Sequence, residues 1–101
     1  MVKRKITWSN QAQFDRIEIL NYWAERNNSK EYSIKLNRVF INTIELIGKM
    51  PEIGISHTAT KTRIKIIKHY YIVYVFDENE LRIISIWDSR QDPKTLQKKL
   101  K

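Results

Sequence analysis

A change of hydrophobic period at Met50-Pro51 constrains this chain more than any other feature. Upstream, Leu36, Phe40, Thr43, Ile47 and Met50 recur at alternating spacings of four and three, the repeat that keeps one face of an α-helix apolar. Gly48 and Pro51 end that helix, because proline lacks a donor and biases its predecessor out of the helical region. Downstream, residues 62–68, 71–76 and 81–87 are rich in isoleucine, valine and aromatics, as strands are. Helices before the boundary and strands after it make an α+β chain.

The remaining elements follow from local signals. Residues 3–8 alternate loosely and predict a first strand, after which Ser9 and Asn10 offer N-cap side chains. Phe14, Ile17, Leu20 and Ala24 then mark the apolar stripe of a helix from Gln11 to about Arg26. Asn27, Asn28 and Ser29 break it, and Asn28 with Glu31 reads as a capping pair for the next helix. So short a polar link makes the two helices an antiparallel hairpin. Residues 52–60 form the longest loop, the three later strands a meander, and Asp92-Pro93 opens a last, basic helix carrying Leu96 and Leu100. The expected architecture is a helical hairpin packed on a small antiparallel sheet, in the order β-α-α-β-β-β-α. Its expected core is Leu36, Phe40, Ile47, Ile64, Ile66, Val73, Ile84 and Ile86. At 101 residues this is a single domain, 1–101.

Several chemistries are excluded. Two glycines cannot supply a phosphate-cradling loop or a dinucleotide fingerprint. Without cysteine there is no thiol nucleophile, disulfide or thiolate metal site, and a reducing cytoplasm is expected. His57 and His69, the two histidines, have no neighbouring carboxylates to complete a metal site, and no glycine brackets a serine as a hydrolase nucleophile requires. Neither metal nor cofactor is expected. Glu18, Glu25, Glu31 and Glu45 read as solvated helix positions rather than acid/base pairs. The longest apolar run, seven residues from Tyr70 to Phe76, is too short for a membrane span.

Charge then selects partners. Nineteen Lys and Arg against eleven Asp and Glu leave +8, which favours nucleic acid, a ribosome or an acidic protein; solubility alone accounts for the same excess. Cations and aromatics interleave at Lys61, Arg63, Lys65, Lys68, His69, Tyr70, Tyr71 and Tyr74. Alternation puts Arg63, Lys65 and Ile67 on one strand face and Ile64 with Ile66 on the other. If the isoleucines face the helices, Arg63 and Lys65 point outward from the open sheet face, toward a ligand or simply toward water. Arg90 lies in the turn before Pro93, expected beside the same open face. There it meets an anionic group of a target or pairs with Asp88 or Asp92.

The order of elements and the stretch IISIWDSRQDPKTL at 83–96 resemble the RelE/ParE superfamily of toxins from bacterial type II toxin-antitoxin systems. Three features carry the resemblance: the hairpin ending at Met50-Pro51-Glu52, the strand pair around Arg63 to Phe76 with its KHYYIVYVF ending, and the last strand running into Arg90, Asp92 and Pro93. The RelE-like branch implies ribosome-dependent cleavage of mRNA, with Arg63, Lys65 and Arg90 in catalytic roles and Lys61 on phosphate. The ParE-like branch implies a non-enzymatic inhibitor of DNA gyrase, with Lys61, Lys68, His69, Tyr71 and Arg90 meeting the target. Tyr71 stands where the nucleases usually carry an arginine, and their C-terminal tyrosine or histidine has no counterpart in Leu100-Lys101; both departures favour the ParE-like branch. Either branch implies a cognate acidic antitoxin, whose helical segment would cover apolar surface and meet the cationic face. A small basic binding domain without toxicity is the third reading.

Overall fold

The computed structural model describes residues 4–57 and 61–90. Strand β1 (Lys5–Trp8) leads into helix α1 (Asn10–Asn27) and helix α2 (Glu31–Lys49). A single 3-10 turn (Pro51–Ile53) follows, then β2 (Ile55–Ser56), β3 (Arg63–Ile67), β4 (Tyr70–Phe76) and β5 (Glu80–Asp88). The last helix expected from Asp92-Pro93, with Leu96 and Leu100, lies outside the described residues.

The helices pack on a five-stranded sheet of order β1-β5-β4-β3-β2, an α+β fold. β2 through β5 are antiparallel, as a meander should be, but β1 pairs parallel with β5, Ile6 opposite Leu81 and Trp8 opposite Ile83. The sheet is therefore mixed rather than antiparallel. The chain between them, through both helices and then β2 to β4, is the long connection that a parallel pair requires. β2 is an addition within the expected loop, held to β3 by Ile55 opposite Ile64.

Helix ends follow their side chains. The Ser9 hydroxyl accepts from Ala12 N at 3.0 Å and so caps α1. Asn28 does not cap α2; it ends α1 in the left-handed region at φ 49°, where asparagine is well tolerated. Ser29 Oγ instead accepts from Glu31 N at the start of α2.

α2 buries Leu36, Phe40, Thr43, Ile44 and Ile47, as its repeat requires. α1 uses its predicted stripe only in part: Leu20 packs against the core and Ala24 is half-buried, but Phe14 and Ile17 are exposed, and the helix instead buries Ala12 and Asp15, with Ile19 and Trp23 partly buried. Apolar residues occur on both sides of α1, so its periodicity alone does not orient it. The polar Asp15 decides. Its Oδ2 accepts from Ser85 Oγ at 2.7 Å and Ile86 N at 3.1 Å, and its Oδ1 accepts from Gln11 Nε2 at 2.7 Å. β5 needs that help because four-residue β1 reaches only to Ile83 of the nine-residue strand. Ser9 Oγ serves the same edge, donating to Ile84 O at 2.6 Å.

The register also reverses the expected faces of β3. Arg63, Lys65 and Ile67 stand opposite Tyr74, Ile72 and Tyr70, and residues directly opposite share a face. Those three partners belong to the core under the helices. Arg63 and Lys65 therefore lie on the helix-bearing face, both half-buried. Ile64 and Ile66 take the other face, so Ile64 is half-buried and Ile66 is 47% exposed. Ile84 falls at the irregularity between β4 and β5, where Val73 pairs with Ser85 and Tyr74 with Ile83, and is half-buried. Leu36, Phe40, Ile47 and Ile86 are buried in this core as expected; Val73 is buried too, but opposite Ile64 and so on the other sheet face.

Replacing Asp15 by alanine strands the Ser85 hydroxyl and the Ile86 amide without their acceptor, at about 1–3 kcal/mol for each buried group left unpaired. Phe40→Ala empties a fully buried site and is expected to cost about 3–5 kcal/mol. Urea denaturation of both variants measures these losses, and an unchanged midpoint for Asp15→Ala defeats its role in holding β5.

Candidate functional site

The cations singled out from the sequence do not form one cluster. Arg63 is at the start of β3 beside the turn after α2, its Nη1 donating to Gly54 O at 2.9 Å and Glu52 O at 3.2 Å. Tyr74 lies beneath the same turn, its hydroxyl donating to Pro51 O at 2.6 Å and accepting from Gly54 N at 3.0 Å. A Cβ at residue 54 would collide with that hydroxyl, which explains the glycine. Arg63, also 5.9 Å from the Phe76 ring centroid, thus clamps the 51–54 turn to the sheet. Lys61 is exposed nearby in sequence, and half-buried Lys65 stands opposite Ile72 in mid-strand.

Arg90 is at the other end. Arg63 stands opposite Tyr74, whereas Asp88 stands opposite Tyr70, four residues along β4, or about 13 Å at the usual rise of a strand. Lys68 and His69 form the β3–β4 turn at this end. Lys68 adopts φ 54°, and Ser89 N donates to His69 O at 2.7 Å. Tyr71 is on the opposite sheet face, across from Trp87. The structure therefore joins Lys68, His69 and Arg90 at one end, separates Lys61 and Arg63 from them, and turns Tyr71 away.

Arg90 does not emerge on the open sheet face. It lies toward α1, 6.0 Å from the Trp23 ring centroid. Its Nε and Nη2 meet Asp88 Oδ1 and Oδ2 at 3.0 and 2.7 Å, and its backbone N–H also donates to Asp88 Oδ1 at 2.9 Å. The side-chain hydrogen bonds from Arg90 hold the Asp88 carboxyl below the usual carboxylate range, against the effect of partial burial. Beneath them, Trp23 Nε1 donates to Tyr70 Oη at 2.7 Å, and Tyr70 packs edge-on to Phe40 at 5.4 Å.

A cleft of about 390 Å³ opens here, lined among others by Asp15, Glu18, Tyr22, Tyr70, Asp88 and Arg90. Asp15 and the aromatic support of Arg90 are the members that sequence reasoning missed. No local signal marked Asp15, whose partners Ser85 and Ile86 lie 70 and 71 positions away. Among the described residues no group of three or more His, Cys, Asp or Glu could hold a metal ion, and no helix is long and apolar enough to cross a membrane.

Burial raises the phenol pKa of both Tyr70 and Tyr74, outweighing the hydrogen bonds each accepts. The folded state therefore holds these protons more tightly than the unfolded chain. That contribution is complete below the ordinary tyrosine value near 10 and is lost as pH rises through the folded values. Ultraviolet titration is expected to resolve late-ionising phenols, reduced in number by Tyr70→Phe or Tyr74→Phe. Tyr74→Phe also frees the Gly54 amide and the Pro51 carbonyl, for an expected loss of about 1–3 kcal/mol by denaturation.

Comparison with known sequences places this geometry in a family. No curated protein sequence matches the chain. The family described as ParE toxin of type II toxin-antitoxin system, parDE, matches residues 6–93, a span that holds all of β1 but Lys5, both helices, the Arg63 clamp and the Arg90–Asp88 pair. The chain belongs to the ParE toxin family of type II toxin-antitoxin systems.

Proposed function

We propose that this toxin acts by binding and inhibiting DNA gyrase in the cytoplasm, without RNA cleavage, and that an acidic antitoxin silences it. The observation that carries the non-nuclease reading is the separation and engagement of its arginines. A phosphate-cleaving site needs cations converging on one phosphate as charge develops. Arg63 is engaged by two backbone carbonyls at one end of the sheet, and Arg90 by a carboxylate at the other. The family match supports a toxin of the ParE type.

Lys68, His69 and Arg90 are the target contacts this reading favours, since they share one end of the sheet. Arg90 meets the target by exchanging Asp88 for another anionic group. The planar paired donors of a guanidinium suit that exchange, and lysine cannot reproduce them.

Purified toxin is expected to inhibit gyrase supercoiling in vitro, and its induction in cells to stop DNA synthesis before translation. Arg90→Ala is expected to reduce inhibition by at least about tenfold with an unchanged melting temperature, and Arg90→Lys to fall between, if binding uses bidentate geometry. Early arrest of translation with cleaved mRNA would overturn the gyrase reading. Full toxicity of soluble Arg90→Ala would demote Arg90 to a surface ion pair.

A further inference from the structure

The cleft beside Arg90 has the opposite sign to the chain that forms it. The protein carries a net charge of +8, yet three carboxylates, Asp15, Glu18 and Asp88, line about 390 Å³ against the guanidinium of Arg90. Asp15 is committed to Gln11, Ser85 and Ile86. Glu18 is exposed and makes no hydrogen bond or ion pair among the described residues. Glu18 and Asp88 are therefore the carboxylates that a ligand in the cleft would meet.

Arg90 itself shows which group this site suits. Its forked donors meet both oxygens of Asp88, and it lies 6.0 Å from the Trp23 ring centroid, with Tyr22 edge-on to that ring at 5.2 Å. Tyr22 and Tyr70 also line the cleft. Aromatic rings beside carboxylates attract cations, and a planar guanidinium matches a carboxylate better than an ammonium does. The two partners are unequally enclosed: the Arg90 side chain is 52% exposed and that of Asp88 only 20%. When Arg90 turns to an anion of the target, the more enclosed carboxylate is left without its cation. Removing one partner from an enclosed charge pair costs more than the pair contributes. A target that also brings a cation cancels that cost, and one that brings only anions does not.

We propose that the cleft receives an arginine side chain of the target protein, which replaces Arg90 on Asp88 and meets Glu18 at the rim while Arg90 pairs with a target carboxylate. The contact is then an exchange of ion pairs across the interface. The inference rests on the reading above in which the Arg90 end of the sheet meets the target, and it names the chemistry of the surface recognised: an arginine and a carboxylate side by side. A nucleic-acid strand offers phosphates to Arg90 but no cation to Asp88, so the partner at this end is a protein.

Two measurements on the full-length toxin test this. The first is its dissociation constant for purified DNA gyrase by surface plasmon resonance. Asp88→Asn keeps the side chain's shape and releases Arg90. If Arg90 were the whole contact, affinity would hold or rise; the exchange predicts a loss of at least about tenfold. Glu18→Gln, at an exposed position where the melting temperature is expected to hold, is expected to lose about threefold. Glu25→Gln, exposed on the same helix but outside the cleft, is expected to leave affinity unchanged. The second measurement needs no gyrase. N-acetyl-arginine amide at millimolar concentration is expected to shift the Trp23 indole N–H signal of Arg90→Ala toxin saturably in NMR spectra, and to leave it unmoved in Arg90→Ala/Asp88→Asn. Affinity held or raised in Asp88→Asn, or no saturable shift in Arg90→Ala, overturns the exchange and leaves the Arg90 contact standing. A saturable shift in a toxin that does not bind gyrase upholds the cleft as an arginine receptor and removes only the gyrase target.

Discussion

Asp15 and Ser9 bind the outer edge of β5, and the orientation of α1 on the sheet follows from that attachment. β1 covers β5 only as far as Ile83; beyond it, Ile84 O takes its partner from Ser9, the N-cap of α1, and Ile86 N from Asp15 within the helix. Unpaired backbone groups inside a protein are costly, so the polar side of α1 must face the strand. That orientation draws Ile19 and Trp23 onto the core and leaves Phe14 and Ile17 outside. The hydrogen bond that Ser9 donates and those that the Asp15 carboxylate accepts thus outweigh the pull of a phenylalanine and an isoleucine, because burying the helix the other way would leave several polar groups unsatisfied.

The two ends of the sheet differ in character. At one, Arg63 and Tyr74 close the 51–54 turn through four hydrogen bonds to or from its backbone. The guanidinium there is a structural strap. At the other, Arg90 is held by Asp88 in a planar pair at the edge of an open cleft. The pair is solvent-facing, where ion pairs are weak and exchange partners readily. Two arginines in neighbouring strand contexts thus have different availability to a ligand.

Sequence reasoning recovered the first strand, the two helices and the three strands of the meander in their order, because periodicity and the Met50-Pro51 break are local; two-residue β2 escaped it. It also recovered the core face of α2, whose polar and apolar residues are well segregated. It placed the core face of α1 only in part and missed the face of β3, for a shared reason. In α1, apolar residues lie on both sides; in β3, RIKII offers two isoleucines to one face and an arginine, a lysine and an isoleucine to the other. Such segments acquire their orientation from neighbours, here Ser85 and Ile86 for α1 and Tyr70, Ile72 and Tyr74 for β3.

The amino-acid sequence by itself determined the class of fold, the helical hairpin, the meander, the cationic character and the resemblance to toxins of type II systems, all readable over windows of a few residues or from composition. Only the tertiary structure decided that β1 adds in parallel beside β5, that Arg63 straps a turn while Arg90 pairs with Asp88 over Trp23, and that a cleft lies open beside that pair. These are pairings between residues as far as 75 positions apart. Their outcome depends on which buried polar groups find partners once the chain has closed on itself, and no local pattern contains that information.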